Sequence, residues 1–433
     1  MRRSVVIVIC AALCAHAFGQ GALTLDECKE LALENNVRAL NAGLALRAAK
    51  EDKKEAFTKY FPSVSMTGGG VIMDKAMMTT EVEDGGGKAA IGVMQNNLVA
   101  GVMASQPLYA GGQIVNANRL AALGVEVSRL QGEVTREEVV LETERYFWQL
   151  VALKEKINTI GNARKKLAAI TADVTAAVEA GLTVRNDILR VELEDNRLES
   201  NMLKATNGLR TFKMAFAQHM GLKTDSFDIE APDLTTIVNI TEATPDIYPV
   251  EQKAEYQLLD KSVEAARLQR DLEIGKHLPT VAIGAGYSHI RMDIGKPAAQ
   301  SRDMSLLFAS LSIPVTDWWG GSHAVRKKKL DLRQARNTRD EKRALLTLQR
   351  QQIRNELSEA YLQVIIAQKS IASATENLRI SEDSFSAGIT ILSDLLDAQT
   401  LLQQSHDLHT EATTTYLIKL AAAAATTGHA RFY

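Results

Sequence analysis

At 433 residues, 46% of them apolar and 24% charged, the chain carries enough hydrophobic material for a folded core and lies outside the range of disordered sequences. An aromatic content of 5% and only eight prolines, set against abundant Ala, Leu, Glu, Lys, Gln and Arg, favour helix. A formal net charge of −2 gives no general attraction to a phosphate backbone and excludes nucleic acid as a partner.

Residues 1–19 read as a signal peptide. Arg2 and Arg3 precede an apolar run from Val5 to Leu13 and then small residues, with cleavage expected after Ala17 or Gly19. Cys10 and Cys14 lie inside this segment, and Leu13 stands where a lipoprotein signature needs a small residue. The remaining cysteine, Cys28, has no partner for an internal disulfide and reads as a small buried hydrophobe. No later run of about 18 apolar residues predicts a membrane-crossing helix, which leaves an exported chain periplasmic, secreted or inserted as β-strands.

Residues 20–224 form the first of two structural repeats. Thr24 opens a helix with Glu27 as its capping-box partner, and the apolar pattern runs through Leu25, Leu31, Leu33, Val37 and Leu40 to Phe57 before Pro62 ends it. Strands follow at about 63–74 and 98–107, separated by a polar, glycine-rich interval around Asp84 to Lys88. After Pro107-Leu108-Tyr109-Ala110-Gly111-Gly112 the chain turns helical from Asn116 to Ala180, with Leu120, Leu123, Val127, Leu130 and Val134 at coiled-coil spacing. Such a helix spans roughly 100 Å, longer than any ordinary globular core. It stops at a tip, residues 180–183, and a return helix runs through Leu198, Met202, Leu209 and Phe216.

Residues 225–249, with Pro232, Pro245 and Pro249, connect this repeat to a second one at 250–433. There a helix from Val250 to Lys276 ends at Pro279, strands follow at about 280–289 and 305–314, and Trp318-Trp319-Gly320-Gly321 occupies the place of Tyr109-Ala110-Gly111-Gly112. A long helix from Ala324 to Ala387, a tip at 387–390 and a return helix complete the repeat. The tips carry the duplication most plainly. Ala180-Gly181-Leu182-Thr183 and Ala387-Gly388-Ile389-Thr390 lie 207 residues apart, followed by Asn186-Asp187-Ile188-Leu189 and Ser393-Asp394-Leu395-Leu396. In each, a glycine free to take positive φ reverses the chain between two helices.

The fold class is therefore mainly α with a small β part, built from a duplicated helix-strand-strand-helix-helix unit. Four strands per chain cannot close a membrane barrel, and an open sheet in lipid leaves edge groups unpaired. Sharing one barrel among chains solves this: three copies would give twelve strands, and their long hairpins would form a ring reaching roughly 100 Å below a membrane. The rival reading is an exported periplasmic coiled-coil scaffold or stalk without a pore.

Thr24-Leu25-Asp26-Glu27-Cys28 through Asn36, Phe61-Pro62-Ser63-Val64, Ser105 to Gly112, Tyr146, Tyr361 and Leu396-Asp397-Ala398-Gln399 together resemble the TolC-like outer membrane efflux protein family across essentially the whole mature chain. The resemblance implies a homotrimer with a 12-stranded outer membrane β-barrel (four strands per chain), continued by a long periplasmic α-helical coiled-coil tunnel and set in outer membrane lipid, that serves as exit duct for tripartite efflux or type I secretion. Its partners would be a periplasmic adaptor (membrane fusion) protein and an inner-membrane efflux or secretion transporter. It further implies that the tips dock the adaptor, through Gly181, Leu182 and Thr183 in the first and Gly388, Ile389 and Thr390 in the second. Asp394 and Asp397 match an acidic pair that forms a periplasmic constriction ring in some members, while Thr390 stands where some members carry an arginine. Three apart on one helix face, the two aspartates would bring six carboxylates of a trimer together and attract cations; the plain alternative is a pair of exposed carboxylates near a helix N-terminus.

Other features carry no chemistry. His406, Asp407 and His409 show no third converging ligand and read as a solvated helix face rather than a metal site. Arg326-Lys327-Lys328-Lys329 reads as a solvated charge run. Gly68-Gly69-Gly70 and Gly85-Gly86-Gly87 lack the setting of a phosphate loop. With no nucleophile, base and orienting group at recognisable spacing, neither an enzyme nor a cofactor is expected.

Overall fold

The computed structural model describes residues 22–74, 78–84, 87–93, 96–232, 234, 250–293, 300–315 and 317–426. The expected signal peptide, most of the connector and the loop at Gly295-Lys296-Pro297 lie outside them. In chain order the elements are α1 (Leu25–Asn35), α2 (Val37–Thr58), β1 (Ser63–Ile72), β2 (Met78–Asp84), β3 (Gly87–Val93), β4 (Asn96–Ala110), α3 (Gln113–Glu179), α4 (Arg185–His219), α5 (Ala254–Lys276), β5 (Thr280–Asp293), β6 (Gln300–Ser312), α6 (Asp317–Ser386) and α7 (Leu392–Thr426). No helix among the described residues is long and apolar enough to cross a membrane. The chain divides into two compact units, residues 1–43, 132–254 and 344–433 in one and 44–131 and 255–343 in the other, so each draws on both repeats.

The first unit is helical. At its start, Thr24 Oγ1 accepts from the Glu27 amide and Glu27 Oε2 accepts from the Thr24 amide at 2.8 Å, the expected capping box. Leu23 pairs with the connector: its amide donates to Asp228 O and its carbonyl accepts from Glu230 N. One core cluster gathers Cys28, Ala32, Val139, Phe147, Leu150, Phe216 and Met220, with Tyr146 stacked on Phe216 at 5.5 Å. Burial pushes the Cys28 thiol up to about 12, as expected of a small hydrophobe rather than a reactive group. Further along, α3, α4 and α7 close a second cluster around Ile160, Leu167, Val174, Val191, Leu198 and Leu392.

The second unit contains the sheet. Four strands in the order β1-β4-β5-β6 pair antiparallel throughout, and β2 and β3 form a separate two-stranded sheet. Only a chain without side chains at the contact permits the packing below the sheet. A Cβ on Gly111, whose φ is 59°, would overlap the Gly275 carbonyl, and a Cβ on Gly321 would overlap the His277 ring. Asn118 Nδ2 donates to Ala56 O at 2.9 Å, tying α3 to α2.

Several expectations change in detail. The helix read as continuous from Thr24 to Phe57 breaks at Asn36, whose ψ of 128° is extended, into α1 and α2. The glycine-rich interval read as loop holds β2 and β3. The last strand runs Gln300–Ser312 rather than 305–314, stopping short of Pro314, which has no N–H to give a ladder. β4 is longer than 98–107 and passes Pro107 by shifting register between Pro107 and Tyr109. Trp318-Trp319-Gly320-Gly321 lies in the first turns of α6 and not in a turn like that at Gly111-Gly112, and Gly321 there lies hard against the His277 ring.

Candidate functional site: the hairpin tips

Both tips lie in the first unit and are built from the same hydrogen bonds. At the end of α3, Gly181 has φ 70°, its amide donates to Val178 O at 3.0 Å, and the Leu182 amide reaches back to Ala177 O at 2.8 Å. At the end of α6, Gly388 has φ 70°, its amide donates to Phe385 O at 3.0 Å, and the Ile389 amide to Ser384 O at 2.9 Å. Each is a Schellman cap, in which a left-handed residue lets two amides satisfy carbonyls that the helix end leaves unpaired. Nothing lies within 4 Å of where a Cβ would stand on either glycine, so φ alone demands them.

The side chains beyond the caps are apolar and face outward. Leu182 is 82% exposed, Ile389 78%, Val184 63% and Ile391 66%. The sequence singled out Leu182 and Ile389; Val184 and Ile391, two residues further along each tip, were legible only as β-branched residues before a helix. An extended Val184 occupies the N-cap of α4 with no side-chain cap bond.

The two threonines diverge. Thr183 is half-buried and its hydroxyl donates to the Asp187 carboxylate, whereas the buried Thr390 hydroxyl oxygen has no hydrogen-bond partner. Asp394 and Asp397 both lie exposed on the first turns of α7, one turn apart on one side, as their spacing predicts. The Asp394 amide donates to Ile391 O at 3.1 Å, repeating the Asp187 to Val184 bond of the first tip.

The hairpins are joined behind their tips. Arg190 donates to the Ser393 hydroxyl, Arg197 Nη2 donates to Thr400 Oγ1 at 3.4 Å, and Gln399 Nε2 to Ala163 O at 2.9 Å. Arg164 grips Asp195 through two bonds, at 3.0 and 3.2 Å, clamping α3 to α4. Higher on α7, His409, Thr410 and Thr413 are buried, which corrects the reading of a solvated face there. Burial holds His409 below the usual histidine value and pushes the half-buried Asp407 above the usual carboxylate value. No group of three or more potential ligands for a metal ion occurs among the described residues.

Residues 257–429, covering α5 to the end of α7, match the model of the outer membrane efflux protein family. That stretch is similar to outer membrane efflux proteins. The fold of the wider chain agrees with it. CusC, whose structures concern transmembrane channel formation, is 13% identical with a TM-score of 0.78 over 95% of each chain. The outer-membrane channel OprN is 14% identical with a TM-score of 0.77, over 93% of this chain and 89% of that one. VceC, an outer membrane protein of Vibrio cholerae, is 12% identical with a TM-score of 0.75, over 93% and 96%. No curated protein sequence matches the chain. The matched stretch includes the second tip and both aspartates, while the first repeat joins it through the shared fold. Proteins of this family are outer membrane ducts and not catalysts.

Proposed function

We infer that this protein is the outer membrane exit duct of an efflux or type I secretion assembly, passive in itself and opened at its periplasmic tips by partners. The observation that carries this reading is a four-stranded sheet, two of whose strands lie in the stretch matched to efflux proteins, that ends in β1 and β6, which pair with nothing further among the described residues. Such edges are intolerable in lipid unless neighbouring chains complete them, and three copies supply twelve strands. A stalk without a pore would have no use for a sheet with exposed apolar residues such as Val64, Met66, Val102 and Leu307.

The tips are the proposed docking surface for a periplasmic adaptor. Gly181 and Gly388 shape them, Leu182 and Ile389 with Val184 and Ile391 supply exposed apolar contact, and Thr183 and Thr390 flank it. An inner-membrane transporter then supplies the energy, and the duct responds by a two-state movement of the helices at its mouth. Asp394 and Asp397, exposed just past the second tip, are the proposed constriction ring.

Conductance of the detergent-purified protein in planar bilayers tests the duct directly. A trimer that opens channels is the expected result. A monomer soluble without detergent and silent in bilayers would refute it.

A further inference from the structure

The last turn of α4 ends on a histidine for which a duct has no evident use. His219 is half-buried where α3 meets the break between α1 and α2, with its ring 5.1 Å from that of Tyr146. Its neighbours dictate its protonation. Asn36 Oδ1 accepts from the Arg38 amide at 2.8 Å, and Asn36 Nδ2 donates to the His219 carbonyl at 2.8 Å. The first of these partners can only donate and the second can only accept, so the orientation of the Asn36 amide is determined. The same NH₂ group lies 3.4 Å from His219 Nδ1, which must therefore present a lone pair. Across the ring, Nε2 lies 3.0 Å from Thr143 Oγ1 and 3.3 Å from Val139 O. Since the Thr143 hydroxyl gives its own proton to Val139 O at 2.8 Å, Nε2 must be a donor. Only the neutral tautomer protonated at Nε2 satisfies every group.

The break is confined from other directions as well. Gly221, two residues past His219 and at φ 70°, sits so close to the joint that a Cβ there would lie 2.6 Å from Asn35 Cβ. The charged groups around the ring are Glu142 and Arg145 on α3 and Arg38 on α2. They are already engaged: Arg38 pairs with Glu138 and Glu142, and Arg145 with Glu142. None is free to pair with an imidazolium.

We propose that His219 is a pH-sensitive lock on the joint between α1 and α2, accepting from Asn36 when neutral and releasing it when doubly protonated, because a donor then faces a donor. Burial holds the His219 ring below the usual histidine value, against the opposing pull of Glu142. A depressed folded-state pKa means that the lock contributes fully above the unfolded value of about 6.5 and is lost as pH falls toward the lower folded value. A duct standing outside the inner membrane meets the pH of its surroundings directly, so the joint loosens in acid.

Amide hydrogen exchange on the full-length protein in detergent, from about pH 7.5 to about pH 5 and corrected for intrinsic rates, tests this. Peptides spanning residues 32–42 should lose protection below about pH 6.5 by up to about tenfold per pH unit, while peptides over residues 160–170 should not. His219→Gln should abolish that pH dependence. Asn36→Asp should reverse it, since a carboxylate welcomes the protonated ring and protection then rises in acid. A flat wild-type profile, an unchanged slope in His219→Gln, or the wild-type direction in Asn36→Asp would each overturn the proposal.

Discussion

Stability and docking should move in opposite directions at Val184. This residue holds the N-cap of α4 without a side-chain cap bond, and it is 63% exposed at the first tip. Replacing it by Asn gives the helix an acceptor for the amide of Asn186, a gain of about 1 kcal/mol. Removing a side chain that is about one-third buried forfeits about 0.5 kcal/mol. The net is a gain of about 0.5 kcal/mol, seen as roughly twofold slower amide exchange over the first turn of α4. Val184→Asp caps in the same way but places a second carboxylate one turn from Asp187, which costs a few tenths of a kcal/mol and leaves a gain of about 0.3 kcal/mol. In pump-dependent export by cells that rely on this duct, the two variants should separate. Asn removes one apolar contact and should reduce export modestly, while Asp buries a charge against any apolar partner and should abolish it with the trimer intact. Full export by Val184→Asp would refute docking through this surface. Faster exchange in Val184→Asn would refute the capping argument.

Replacing Asp394 and Asp397 together by Asn should leave the trimer intact and reduce cation over anion selectivity in bilayer conductance, and unchanged selectivity would remove them from the pore. Gly388→Ala should cost only the roughly 1–2 kcal/mol of a left-handed non-glycine residue, because its surroundings are open. Gly221→Ala, at the same φ but hard against Asn35, should cost clearly more, and equal losses in chemical unfolding would show that the crowding is not felt. Cys28, buried and with its thiol pushed up to about 12, should resist iodoacetamide at neutral pH in the folded protein and react only on unfolding.

What could be read before the structure was what is decided locally. The glycines at 181 and 388 sit between two helical patterns, and turn chemistry alone requires positive φ there, so the tips and their duplication were legible. The capping box at Thr24 and Glu27 is equally local. Features with tertiary causes are not legible in the sequence. Asn36 interrupts an apolar pattern that continues on both sides of it, and the reasons for the break, His219 and Gly221, lie more than 180 residues away. Gly320 and Gly321 imitate the turn at Gly111-Gly112 in sequence, but Gly321 lies against a ring from residue 277 and not in a reversal. His409 reads as a polar residue on a long helix, and only the packing of α7 against its neighbours buries it. Val184 and Ile391 escaped because periodicity says which residues are apolar and not which of them are left uncovered.

The sheet ends in β1 on one side and β6 on the other, and this has a consequence for the history of each molecule in the cell. Among the described residues a newly exported copy carries an edge ladder on β1 and another on β6 with no partner strand, and on the proposed trimer β6 of one copy would meet β1 of the next. Until that pairing happens, the segment is a sticky intermediate whose lifetime falls as more copies arrive. Its maturation is therefore a race between self-recognition and aggregation, and synthesis rate, more than the intrinsic stability of one chain, should decide how much becomes functional.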